Sequence, residues 1–176
     1  MRLLKIACIL LIVMPVAFGL SASSASASGL CPDATIDQYL QQPVEKTLGN
    51  TKVIYAAEVN FRRLAAQSDR PMMLLFYNND QDFSKGLAAV ATCVINRYPQ
   101  VRFIAYEIPE LTQRELDRAG RYTGGTIQTV PSLYLYRYTK DGMELAGSIQ
   151  EGYRDKDLVK KQIVRVDEFV KTELLH

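Results

Sequence analysis

The stretch Arg70 to Lys85, RPMMLLFYNNDQDFSK, decides how the rest of the chain reads. Met72 through Tyr77 are six apolar residues in succession. That is too short for a membrane span and carries no helical periodicity, so the pattern predicts a strand buried on both faces of a sheet. Beyond the polar turn Asn78 to Phe83, the residues Leu87, Val90, Ala91, Val94 and Tyr98 recur at three- and four-residue spacing. This predicts a helix that packs one stripe against the sheet. Strand, turn and helix make a common setting for a site, yet this turn holds none of the residue types that mark a catalytic centre at once.

Upstream, Arg2 and Lys5 form a short basic start, Ile6 to Leu20 are almost all apolar, and small residues including Ala25-Ser26-Ala27 follow. This is the pattern of a secretory signal peptide spanning residues 1–27, with cleavage after Ala27 and export to the periplasm or the medium. An uncleaved anchor is the alternative. A lipid anchor at Cys31 fits less well, because bulky Leu30 precedes the cysteine. Removing residues 1–27 from the 176 leaves about 149, enough for one core and with no membrane span expected. The whole chain has 21 Lys plus Arg against 19 Asp plus Glu, and the leader holds two of those cations. The exported part is therefore formally neutral, which argues against a nucleic-acid or anionic-membrane binder driven by bulk charge. It keeps two cysteines, Cys31 and Cys93. Export to an oxidising compartment predicts a disulfide between them, the alternative being an inert, half-buried thiol at Cys93.

Residues 28–52 read as a helical extension, with Thr35 and Gln38 at capping-box spacing and Pro43 as a kink or stop. From residue 53 to 176 a single domain is expected. Val53 to Tyr55 form a short strand, and Ala57, Phe61, Leu64 and Ala65 mark a helix face ending near Gln67. Val101 to Ile108 read as a strand, Thr112 with Glu115 opens a helix, and Gly124-Gly125 ends that region. After Pro131, Leu133 to Tyr136 and Glu144 to Ile149 pair as a hairpin through Lys140-Asp141-Gly142. Asp155 caps a last helix with an apolar stripe Leu158, Val159, Ile163, Val166 and Val170. The alternation of strands and helices, closed by a hairpin, predicts an α/β fold in which a mixed sheet carries helices on both faces.

This order resembles the thioredoxin fold from about Val53 to Leu175, on the strength of Leu74 to Lys85, Thr129-Val130-Pro131-Ser132, and Asp141-Gly142 ahead of Gly152. The family's Cys-x-x-Cys motif falls here on Gln81-Asp82-Phe83-Ser84, followed by Lys85, so neither redox position is a cysteine. The buried acid that the family commonly keeps on the central strand is matched by Leu75. Thiol exchange needs a thiolate as attacker and as leaving group, and neither Gln81 nor Ser84 supplies one. Pro131 matches the family's cis-proline, whose loop offers backbone groups to an extended peptide. The alternative is that Pro131 only shapes the strand entry.

Other chemistry is weakly signalled. Asn78, Asn79, Asp80 and Asp82 crowd oxygen atoms together, but a solvated turn accounts for them, since the loop lacks a glycine and a distal glutamate at EF-hand spacing. Asp82 and Ser84 suit a helix N-terminus. The single histidine is His176, so no Ser-His arrangement is available to Ser84. The expectation is thus a redox-inactive thioredoxin-like protein-binding module, without cofactor or metal, using Thr129, Val130 and Pro131, with Phe83 and Tyr77 as apolar anchors. The alternative is a thiol-disulfide oxidoreductase built on a displaced Cys93, alone or with Cys31. A further alternative is an accessory domain whose extension makes the contacts.

Overall fold

The computed structural model describes residues 29–56, 68–121, 123 and 127–175. Its sheet is built around β2 (Met72–Tyr77), every residue of which is buried. Two neighbours take up its backbone groups. β3 (Arg102–Glu107) runs parallel to it, pairing Met72 with Arg102 through Tyr77 with Glu107, and β4 (Ser132–Thr139) runs antiparallel, pairing Met72 with Tyr136 through Phe76 with Ser132. β1 (Val53–Tyr55) adds in parallel beyond β3, and β5 (Gly142–Ile149) adds in antiparallel fashion beyond β4, giving the order β1-β3-β2-β4-β5. An interior strand needs apolar side chains on both faces, and the run of six supplies them. Gly142 turns the hairpin at φ +115°, a left-handed conformation that suits glycine.

Alternate residues of β2 feed two cores. Met73, Leu75 and Tyr77 join Phe103, Ala105, Leu133 and Leu135 under α3 (Asp82–Ile95) and α5 (Lys156–Phe169). Met72, Leu74 and Phe76 join Ile104, Tyr134 and Tyr136 on the other face, where Ala119 and Leu116 of α4 (Gln113–Gly120) pack. The Phe76 and Tyr134 rings meet edge to face at 5.7 Å. Thr112 caps α4 by accepting the Glu115 N–H, and Asp155 caps α5 by accepting the Leu158 N–H at 2.9 Å.

The extension forms α1 (Asp33–Gln41) and α2 (Val44–Leu48), which pack on α3. Pro43 separates them as expected. The Thr35–Gln38 capping box does not form, because the helix begins earlier: the Thr35 and Ile36 N–H groups bond to the Pro32 carbonyl, leaving Thr35 inside the first turn. Along α5 and into the π-helical segment Val170–Leu174 that continues it, Val159, Ile163, Val166 and Val170 are fully buried, but Leu158 is 39% exposed. It lies one step round the helix from Val159, where 100° of rotation turns it away from the sheet. The helix expected from Ala57 to Gln67, the signal peptide, Tyr122, Gly124-Gly125 and His176 fall outside the described residues.

Cys31 and Cys93 are joined by a disulfide, with Cα atoms 5.6 Å apart and both residues 4% exposed. Ion pairs from Lys156 to Asp37 at 2.8 Å and from Lys160 to Asp33 fasten α1 to α5 alongside it.

Candidate functional site at the start of helix α3

The turn between β2 and α3 is tied down by its own amides. Asn78 donates through Nδ2 to the Ile108 and Pro109 carbonyls at 2.8 and 3.1 Å, and its Oδ1 accepts from the Asp80 N–H at 2.9 Å. Asn79 donates to Glu107 at 3.0 Å. These side-chain bonds satisfy polar groups within the fold, so the asparagines serve as turn residues. The Ser84 hydroxyl is wholly buried and accepts the Asn78 N–H at 3.1 Å. It therefore closes the end of β2 and does not cap its own helix, a correction to the expectation from its place in the first turn. Gln81 takes the N-cap position without a side-chain cap bond, and its Oε1 is buried with no partner among the described residues.

Two segments converge on that first turn. The Val130–Pro131 peptide is cis, and Pro131 is buried at the entry to β4. Gly152 lies so close that an added Cβ would strike the Phe83 carbonyl and stand 3.1 Å from the Pro131 ring. One turn along, a Cβ on Gly86 would strike the Tyr153 carbonyl. Only glycine permits this approach of backbone to backbone. Thr129 is exposed and its hydroxyl donates to the Gln150 carbonyl at 3.1 Å, while Val130 is partly buried against the second core. The structure thus brings Phe83, Pro131 and Gly152 together, with Thr129 and Val130 on the strand-entry side.

Charge at this corner is carried by Asp82. Lys85 donates to one of its oxygens at 2.8 Å and Arg154 to the other at 2.9 Å. The Lys85 hydrogen bond, helped by the Arg154 charge, holds the Asp82 carboxyl below the usual carboxylate range. The same Arg154 guanidinium stacks 5.0 Å above the Phe83 ring. Phe83 nevertheless remains 50% exposed, whereas Tyr77, its expected companion anchor, is 1% exposed and belongs to the core. Burial pushes the Tyr77 hydroxyl well above its ordinary range, with the charge of Glu107 adding to the effect. Arg154 was not singled out from sequence; its only local signal is its place between Gly152 and the Asp155 cap.

The sheet order and the helices on both faces define the architecture. The fold is thioredoxin-like. Among similar solved structures is mitochondrial thioredoxin 3 of Saccharomyces cerevisiae in its oxidised form. It is 22% identical, the match covers 68% of this chain and 98% of that one, and the TM-score is 0.44. Thioredoxin O2 of Arabidopsis thaliana, also oxidised, is 18% identical, with 69% and 93% covered and a TM-score of 0.48. A structure from work on the thiol-resolving mechanism of yeast mitochondrial 1-Cys peroxiredoxin is 23% identical, with 66% and 97% covered and a TM-score of 0.45. No family model matches the sequence, and no curated protein does.

Proposed function

We propose that this chain is an exported, redox-inactive thioredoxin-like module that binds another protein by an extended segment laid along Thr129-Val130-Pro131. On this reading residues 1–27 are a removed signal, 28–52 an extension and 53–176 the binding domain, in the periplasm or outside the cell. The observation that carries it is the corner itself: a half-exposed Phe83 and an exposed Thr129 flank Pro131, with Gln81 and Ser84 where the thiols of the resemblance would stand. An amide and a buried, hydrogen-bonded hydroxyl cannot exchange with a disulfide. Backbone pairing beside the proline needs no thiol, and an aromatic side chain is a suitable anchor for a strand-like ligand. No cofactor or metal enters the reading, and the neutral exported part gives no electrostatic reason to bind nucleic acid.

One observation favours a second reading, an oxidoreductase that uses the Cys31–Cys93 pair: the disulfide exists. Against it stands access, since both cysteines are 4% exposed and an attacking thiolate must reach a sulfur atom.

Two measurements separate the readings. Purified mature protein should reduce insulin disulfides no faster than background, and turnover abolished by Cys93→Ser would establish the second reading. A photo-crosslinking residue placed at exposed Gln128 should capture a protein partner from the native envelope fraction, and one at exposed Gln38 in α1 should not. Adducts formed only from position 38 would sink the proline-loop reading and move the contacts to the extension.

A further inference from the structure

A cavity of about 430 Å³ opens at the other end of the sheet from the proline loop. It is bounded by the starts of β1 and β3, Arg70 two residues ahead of β2 and the end of α3, whereas the corner described above lies past the end of β2. The length of β2 alone separates the two by about 20 Å. Sites for small organic ligands occupy roughly 300–1,000 Å³, so the cavity is of a size to hold one.

Its lining has two parts. Ile54, Ile95, Pro99, Val101 and Phe103 make an apolar floor. Lys52 and Arg70 bring two exposed cationic groups to the same cavity, joined by Arg102, Thr51 and Asn96, and no carboxylate is among its described lining residues. Arg70 donates to the neighbouring Asp69 at 3.4 Å in an open pair whose side chains are 50% and 76% exposed, and the Arg102 charge also acts on that carboxylate. An exposed pair of this kind is weak and exchanges readily for a better acceptor. Guanidinium groups present planar donor forks that match a carboxylate, and a lysine adds charge without demanding geometry.

We infer that this cavity binds a small amphipathic carboxylate, with its apolar body on Ile54, Ile95, Val101 and Phe103 and its acid head at Lys52 and Arg70. The inference is independent of how the proline loop is used. It concerns a ligand that the apolar floor alone would bind without preference for charge, and that the cations alone would bind without preference for shape.

The test is an amide-shift titration of the disulfide-intact mature protein with octanoate, 1-octanol and acetate as probes. Octanoate should move the amides of Lys52, Asn96, Arg102 and Phe103 along saturating curves. Octanol, lacking the head, and acetate, lacking the body, should each bind at least about tenfold more weakly, the loss expected for a missing charged hydrogen bond or a missing apolar contact. Because Lys52 and Arg70 are both exposed, the double variant Lys52→Gln/Arg70→Gln should keep the spectrum of the core while weakening octanoate by about tenfold. The inference is overturned by any of three results: shifts scattered over the surface without saturation, octanol or acetate binding as tightly as octanoate, or an affinity unchanged in the folded double variant.

Discussion

Helix α3 has two ends of opposite character. At its start the chain gathers polar side chains around an open turn: Asp82 bridges Lys85 and Arg154, Phe83 is half exposed, and neither Gln81 nor Ser84 can form a thiolate. Near its finish stands the thiol chemistry, but closed: Cys93 is bonded to Cys31, and just past the helix Tyr98 is buried with its hydroxyl donating to Asp167 at 2.8 Å. The open end has no cysteine among its described residues, and the two cysteines at the other end are bonded to each other and 4% exposed. The difference teaches how exposure and thiol chemistry are placed: the exposed turn and the buried disulfide stand towards opposite ends of a single helix about 20 Å long. The closed end holds the extension, and the open end leaves Phe83 half exposed.

The largest expected effect breaks the closed end. The disulfide bridges positions 62 apart, and in the chain-entropy account closing a loop of that size stabilises by about 4 kcal/mol. Cys31→Ser, or reduction of the native protein, should therefore lower the urea midpoint by a corresponding amount while the sheet persists. Both routes should agree, since each opens the same loop. A midpoint indifferent to reduction would mean that α1, α2 and the two ion pairs hold the extension without the bond, and the contrast between the two ends would collapse.

A pH titration sharpens the same contrast. Burial, with the Asp167 hydrogen bond and charge adding to it, pushes the Tyr98 hydroxyl up from 10.0 to about 12. A group whose folded value is raised contributes stability that is complete below its unfolded value and is lost as pH climbs through the folded one. The contribution of Tyr98 is therefore intact below pH 10 and disappears between about 10 and 12, with a limiting size of about 2–3 kcal/mol. Tyr98→Phe should be less stable at neutral pH, because Asp167 is left with Arg97 alone at 3.5 Å, and its stability should fall less steeply above pH 10. Other buried tyrosines, Tyr77 and Tyr136 among them, add to the alkaline loss in both proteins, so the difference between the two curves is the reading that counts. Identical slopes would remove Tyr98 from the account.

Much of this architecture was legible because it rests on local pattern. Six consecutive apolar residues between Pro71 and a polar turn are too few for a core helix and suit an interior strand, and Asp155 three residues ahead of Leu158 makes the cap that its spacing predicts. What stayed hidden depends on partners distant in sequence. The role of Ser84 follows from where β2 ends, and a serine in a first helical turn looks like a cap until that end is located. Tyr77 closes an apolar run next to the turn, and only the sheet order shows that both its faces are covered. The Phe83–Arg154 stack joins residues far apart in the chain, and the cationic cavity draws on segments from residue 51 to residue 103. No spacing rule announces either one.

The smallest expected effect on stability falls at the open end, and it is the most informative about use. Phe83 leaves half its surface in water and touches Arg154 across an exposed cation–π contact, an arrangement that contributes about 0.5–1 kcal/mol at most. Phe83→Ala should therefore shift the urea midpoint little and leave the disulfide-held end untouched. The same substitution removes the one large apolar side chain exposed on the first turn of α3. Capture from a crosslinker at Gln128 should then fall at least about fivefold, as expected when an aromatic anchor contributing upward of 1 kcal/mol is truncated. A loss of capture with stability unchanged separates contact from scaffold. If capture persists at full yield in a folded Phe83→Ala protein, the aromatic is not an anchor, and what remains of the reading is backbone pairing along Thr129 to Pro131. If the midpoint falls by several kcal/mol instead, Phe83 is holding Pro131 and Gly152 in place, and the open end is as structural as the closed one.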